Sequence, residues 1–440
     1  MKRFLKSVLI IIIFTFGIIS LKKYCIKDYN ISLKDNNLQW KLKYKGMKGA
    51  VDFTIDDNEN YYIGYKDKIQ FIDKNGKSFG VFSNNNMNIN SIEYYKGKLY
   101  FSSNSCIYSY ELHSKECIEI ISDLPNFGDF KNSLLKINGE YLYVTIGSAT
   151  NSGVVGSDNK WIKKNPFGHD ISPEKITLRG INFEDGKTGA FVNYRTKNIE
   201  GQIIPGHFPG NASIIMYNLK TGDSATFAWG IRNVKGLDFD SRGRMIASVG
   251  GMEDRGLRPV KGDTDYIFVI KTKQWYGWPD YSGGDPISSP KFKGQNNKII
   301  SFILDNHPTT NPEAPIYVHK NLGTLKGLSV DSKGSIGKVD SIYFFDNHEK
   351  KLCCIDDKGV LSEKLKFDEK SQICSIKYVK NQILIMDANE GNLYSLSIKE
   401  KDTTSNLYKP MICFILVMIV IVIIAILKLN MDNWNKLNKK

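Results

Sequence analysis

Two stretches of this chain repeat one phrase. Val234–Gly251 reads VKGLDFDSRGRMIASVGG and Leu325–Asn347 reads LKGLSVDSKGSIGKVDSIYFFDN. Each has an alternating apolar run, a turn of Asp, Ser and Gly, and a second alternating run. That is the period of half-buried strands joined by a tight turn. The pattern recurs in GAVDFTIDDNENYYIGYKDKIQFID from Gly49, INSIEYYKGKLYFSSNSCIYSYE from Ile89, NSLLKINGEYLYVTIGS from Asn132 and ICSIKYVKNQILIMDANEGNLYSLS from Ile373. Most of these run on into a third strand. Gly49 and Ile89 begin repeats 40 residues apart, the length of one four-stranded propeller blade. The spacing predicts an all-β, six-bladed propeller. A ring of blades buries sheet faces that no single blade can bury alone, so one domain accounts for the length. The stretch near LQWKLKYKG, residues 38–46, is expected to close the ring beside the last blade. The gaps 148–228 and 252–324 read as long loops between strands or blades.

Composition agrees with strands. The chain has 23 Tyr and 23 Phe, with Ile and Val set among Asn, Asp, Gly and Lys. The net charge is +14, but the lysines are scattered and no arginine-rich helix accompanies them, which argues against nucleic acid. The seven cysteines include no C-x-x-C pair and form neither a zinc framework nor a dense disulfide scaffold. Cys106 and Cys117 flank a hairpin without facing each other.

Both ends are apolar. Residues 7–21, SVLIIIIFTFGIISL, follow Lys2, Arg3 and Lys6 and read as a signal peptide or a signal anchor; no small-x-small cleavage site follows, which favours an uncleaved anchor. Residues 411–427, MICFILVMIVIVIIAIL, would span roughly 25 Å as a helix, enough for a hydrocarbon core. The lysines after them favour a cytoplasmic C-terminus. The expected organisation is a membrane helix within 1–29, a propeller over 30–405 on the extracytoplasmic side of the cell membrane, and a second membrane helix with a basic tail over 406–440.

The phrases WGIRNVKGLDFD, Trp229–Asp240, and WYGWPDYSGGDP, Trp275–Pro286, together resemble the glucose/sorbosone dehydrogenase family, the soluble pyrroloquinoline quinone (PQQ) sugar dehydrogenases. The resemblance covers roughly residues 48–397 and is strongest from Gly147 to His319. It implies a six-bladed propeller with PQQ and calcium held by loops of the top face, oxidising an aldose or related sugar. It gives Arg232 and Asn233 as cofactor contacts and the backbone carbonyls of Gly251 and Met252 as calcium ligands.

The chain departs from that pattern at the chemistry. The family's catalytic base is a histidine in a Gly-Asp-His phrase; here Gly128 and Asp129 are followed by Phe130. Phenylalanine accepts no proton, which leaves Asp129, or His169 beside Asp170, as substitutes. An Arg-x-Arg pair of the family is replaced by Gln372 and Cys374. Arg232 has a structural reading as well, capping carbonyls between blades. Trp275, Tyr276, Trp278 and Tyr281 suit stacking on a sugar or quinone, or locking a loop onto its blade. Asp254, Arg255 and Arg258 suit an ion-pair knot. The readings left open are a propeller that binds a sugar, an envelope glycan or a protein partner, and a PQQ- and calcium-dependent oxidoreductase.

Overall fold

Aspartate-led turns punctuate the sheets. Asp56, Asp73, Asp240 and Asp356 each accept hydrogen bonds from the backbone N–H groups two and four residues on. An aspartate in such a place fixes a tight connection without help from the rest of the fold. Lys96-Gly97 and Lys380-Asn381 are two-residue hairpin loops with positive φ at both positions, the geometry that matches strand twist.

The computed structural model describes residues 29–399 and, in the C-terminal unit, Val420, Ile424, Leu427 and Lys428, which are helical. The expected N-terminal span and the rest of the C-terminal one lie outside the described residues. Among the described residues no helix is long and apolar enough to cross a membrane.

Residues 29–399 form the expected propeller. Six sheets each begin on an inner strand: Asp52–Ile55, Ile89–Tyr95, Leu135–Asn138, Val234–Phe239, Leu325–Asp331 and Ile373–Val379, in blades 1 to 6. Leu38–Lys45 is the outermost strand of blade 6, beside Asn392–Ile398, so the ring is closed by the predicted stretch. Ser32–Leu33, which the sequence reading did not assign, pairs with the edge of blade 5.

Polar contacts join the inner strands around the axis. Asp52 accepts from the hydroxyls of Ser375 and Ser91 at 2.7 and 2.9 Å, linking blade 1 to blades 6 and 2. Ser91 Oγ accepts from Leu135 N at 3.1 Å. Lys136 pairs with Asp238 at 2.9 Å, Ser329 donates to Asp238 at 2.7 Å, and Tyr378 N donates to Ser329 Oγ at 2.6 Å. The circuit is closed.

Two corrections concern the gaps. Residues 148–228 are not all loop: Ser213–Asn218 and Ser224–Trp229 are the outer strands of blade 3. Likewise Tyr266–Ile270 and Tyr317–Val318 complete blade 4. The long excursions lie inside blades, between consecutive strands, so the repeat spacing is stretched while the blade count is kept.

Candidate functional site

Bulges open the inner strands toward the axis at one end. Asn90, Lys235, Gly327 and Cys374 are each skipped in the pairing of their strand with its neighbour. A bulged residue leaves the ladder and its side chain is re-aimed. All four line one central cavity of about 650 Å³. A second cavity of about 820 Å³ adjoins it, sharing Asn90, Asp129, Phe130 and Lys131.

The loop carrying Asp129 and Phe130 is pressed against the end of blade 3. Asp129 N donates to Ala149 O at 3.0 Å, and a Cβ on Gly128 would lie 2.2 Å from the Ala149 Cα, so glycine is required there. Asp129 reaches the cavities, but its carboxylate accepts from Trp161 Nε1 and Asn159 Nδ2 at 2.9 Å and from Arg255 Nη2 at 2.7 Å. Arg255 also bonds Asp158 and Glu253. The expected knot of Asp254, Arg255 and Arg258 is not formed as such: Arg255 is knotted to Asp129, Asp158 and Glu253 instead. Arg258 belongs to a separate pair, with Asp280 at 2.6 Å.

Phe130 covers Arg232. The guanidinium lies 4.2 Å from the ring centroid and is 4% exposed. Its Nε donates to Asn151 O at 3.0 Å, Nη1 to Gly251 O at 2.5 Å, and Nη2 to Asn151 Oδ1 at 2.8 Å, with Glu253 Oε1 at 3.2 Å. Every nitrogen has a protein acceptor, so Arg232 ties the ends of blades 3 and 4 together beneath Phe130. Asn233, next in the chain, lines the central cavity; it is 7% exposed and its Nδ2 has no hydrogen-bond partner. His169 lines neither cavity and its Nδ1 is 3.1 Å from Phe167 O. Its neighbour Asp170 is buried, taking Ala149 N at 2.6 Å, and burial pushes its carboxyl up to about 6. The pair pins a loop.

Trp275, Trp278 and Tyr281 are buried in the core under the excursions of blades 3 and 4, with Trp275 stacked on His307 at 5.6 Å. Tyr276 packs with Phe268. These aromatics lock loops and do not line either large cavity.

What the sequence reading missed is the charge of the central cavity. Gln372 and Cys374 line it where arginines were expected, but so do Lys66, Lys131, Lys235, Lys326 and Lys350, against one carboxylate, Asp129. Lys66 and Lys131 stand exposed at the mouth, and the other three are half-buried. Burial, with Lys326 and Arg232 nearby, pushes Lys235 down to about 8. The only sequence signal was the phrase Lys-Gly-Leu shared by Val234–Phe239 and Leu325–Asp331.

Solved structures share this arrangement of strands. In fold, the chain is similar to PQQ-dependent sugar dehydrogenases. The PQQ domain of pyranose dehydrogenase from Coprinopsis cinerea aligns over 84% of this chain and 98% of its own, at 11% identity and a TM-score of 0.56. A family AA12 carbohydrate-active enzyme from Trichoderma reesei aligns over 85% and 99%, at 12% identity and 0.57. The PQQ-bound aldose sugar dehydrogenase from Streptomyces coelicolor aligns over 85% and 100%, at 12% identity and 0.51. No protein-family model matches the chain, and no curated protein does.

Two groups implied by that likeness meet different surroundings here. Calcium takes six to eight oxygen ligands. The Gly251 carbonyl is turned to the Arg232 guanidinium, and no group of three acidic, His or Cys side chains able to hold a metal occurs among the described residues. A carbonyl already facing a cation does not fit a second one. The lysine-lined cavity does fit the charge of a tricarboxylate such as PQQ; the groups around it do not fit removal of a hydroxyl proton by a side-chain base, because no histidine lines either cavity and Asp129 is held by three donors.

Proposed function

We propose that this chain is a binding propeller of the PQQ sugar dehydrogenase type, tethered to the cell membrane with its ring on the extracytoplasmic side, and that it holds a sugar or envelope glycan without oxidising it. The observation that carries the reading is Phe130. It occupies the place of the expected base and shields a buried arginine, a role that a histidine general base at the same position would not combine with proton transfer. General-base catalysis contributes about a hundredfold to ten-thousandfold, so its loss removes most of the turnover that such a fold otherwise supports.

The test is dye-linked oxidation of an aldose panel by the full-length chain in detergent, with excess PQQ and calcium. The expected result is no calcium-dependent turnover above background. Turnover above about 1 s⁻¹, the low end of ordinary enzyme rates, overturns the reading in favour of a PQQ- and calcium-dependent oxidoreductase with Asp129 as its base.

A further inference from the structure

Charge compensation changes along the propeller axis. Below the cavity, Lys136 is paired with Asp238 at 2.9 Å, and Lys377 with Glu93 at 2.8 Å and Asp52 at 3.4 Å. Above them the pattern stops. Lys350 Nζ reaches only neutral acceptors, Asn347 Oδ1 at 3.2 Å and Ser371 O at 3.1 Å. Lys235 lies over the Phe130 ring at 5.6 Å. Among the described residues neither they nor Lys326 meets a carboxylate within ion-pair distance. Partly buried ammonium groups gathered without counter-charges destabilise a fold unless an anion joins them.

The linings of the two cavities differ. Asn233 lines the central cavity, and its unpaired Nδ2 is sealed from solvent. At the adjoining cavity, Asn126 gives its Nδ2 to Asn104 O and Ser133 Oγ, and its unpaired Oδ1 is sealed from solvent in a side chain 7% exposed. Phe127 and Trp161 form an edge-to-face pair in the same cavity, 5.4 Å between centroids. One end therefore offers donors and positive charge. The other offers an aromatic wall and mixed charge, Lys160, Lys164 and Arg255 with Asp129, Asp158 and Glu253, the surroundings of a sugar face and its hydroxyls.

We propose that the two joined cavities bind a phosphorylated sugar or polyol, its phosphate among Lys235, Lys326 and Lys350 and its sugar or polyol part against Trp161. This rests on the binding reading above and names its ligand class. Phosphate is preferred over carboxylate because the guanidinium forks nearby, Arg232 and Arg255, are bonded to protein oxygens. Free ammonium groups act as point charges that share the several oxygens of a phosphate, whereas planar bidentate recognition of a carboxylate needs a free fork.

The experiment is calorimetric titration of the full-length chain in detergent with glucose 1-phosphate, glycerol 3-phosphate, glucose, glucuronate, inorganic phosphate and PQQ. At least one of the two organic phosphates is expected to bind at least tenfold more tightly than glucose, glucuronate or inorganic phosphate, and to weaken steeply with salt. Lys235→Gln and Lys326→Gln are each expected to weaken it about tenfold or more, with a melting temperature no lower than that of the natural protein; Lys68→Gln, on an exposed strand of blade 1, leaves binding unchanged. Should either cavity variant fail to fold, Lys350→Gln supplies the second measurement, with a loss of organic-phosphate binding of the same size expected. Failure of both organic phosphates to saturate the folded protein overturns the proposal, as does binding indifferent to the variants or tighter binding of PQQ or glucuronate. Those results leave the non-catalytic reading standing, whereas turnover with PQQ in the oxidation assay removes the reading beneath both.

Discussion

At the residue scale the site is decided by which cations already have partners. Arg232 was expected to face a cofactor, yet its nitrogens are bonded to Asn151, Gly251 and Glu253 and its face to Phe130. Lys235, three positions on, has no such partners and is pushed down to about 8 by burial and by its neighbours Lys326 and Arg232, with Asp265 and Glu253 acting weakly the other way. The sign follows from linkage. The unfolded chain keeps this proton to higher pH than the folded one, so folding stability rises as pH climbs from about 8 toward the ordinary lysine value of 10.5. Denaturant unfolding at pH 7.5 and 9.5 should show the gap between the protein and its Lys235→Met variant shift in favour of the natural protein at the higher pH. A gap that stays constant or shifts the other way counts against unpaired positive charge in the cavity.

At the element scale the long excursions are held by buried polar anchors. Asp280 is fully buried and takes Arg258 Nη2 at 2.6 Å, Leu304 N at 2.9 Å, Ile303 N at 3.1 Å and His307 Nε2 at 2.9 Å. Arg258 in turn donates to the carbonyls of Ser152, Pro279 and Ser301, which ties the excursion inside blade 3 to that inside blade 4. Removing one partner of such a pair leaves a buried charge uncompensated, at a cost of about 3–5 kcal/mol. Asp280→Ala is therefore expected to lower stability by about that amount and to open residues 285–310 to protease before the ring unfolds. Equal resistance of that segment in both proteins would show that its apolar contacts suffice.

At the scale of the whole molecule, ring closure fixes where the two ends leave. Met47 N donates to Gly391 O at 2.9 Å, so the closing strand Leu38–Lys45 runs antiparallel to Asn392–Ile398. The first residues of the propeller and its last therefore emerge at the same end of one blade, where Tyr29, Trp40 and Tyr394 pack edge-to-face. That arrangement suits a chain whose two apolar segments, 7–21 and 411–427, enter one membrane face. Protease added to intact cells or protoplasts is expected to digest the propeller and to spare a tag placed after Lys440. Protection of the propeller with loss of the tag would reverse the orientation, and the proposed glycan ligand with it.

The blades were legible in the sequence because they are made by local rules. Alternation, aspartate turns and the repeated Lys-Gly-Leu phrase act over a few residues, and a ring needs only that neighbours repeat them. The closing strand was legible too, as the one alternating run left before the first blade. Ser213–Trp229 was not, because a long excursion separates it from the strand it pairs with and its blade is assembled from distant pieces. Phe130 showed from sequence that the expected base is missing; that the same ring lies on Arg232 needed the fold. The lysines show the division best. Read along the chain they are scattered charge on a solvated surface, yet the ring brings Lys66, Lys131, Lys235, Lys326 and Lys350 to one cavity. Convergence of residues nearly three hundred positions apart is a property of the closed circle: no local pattern encodes it, because the inner strands and the loops beside them meet at the axis only when the ring is closed.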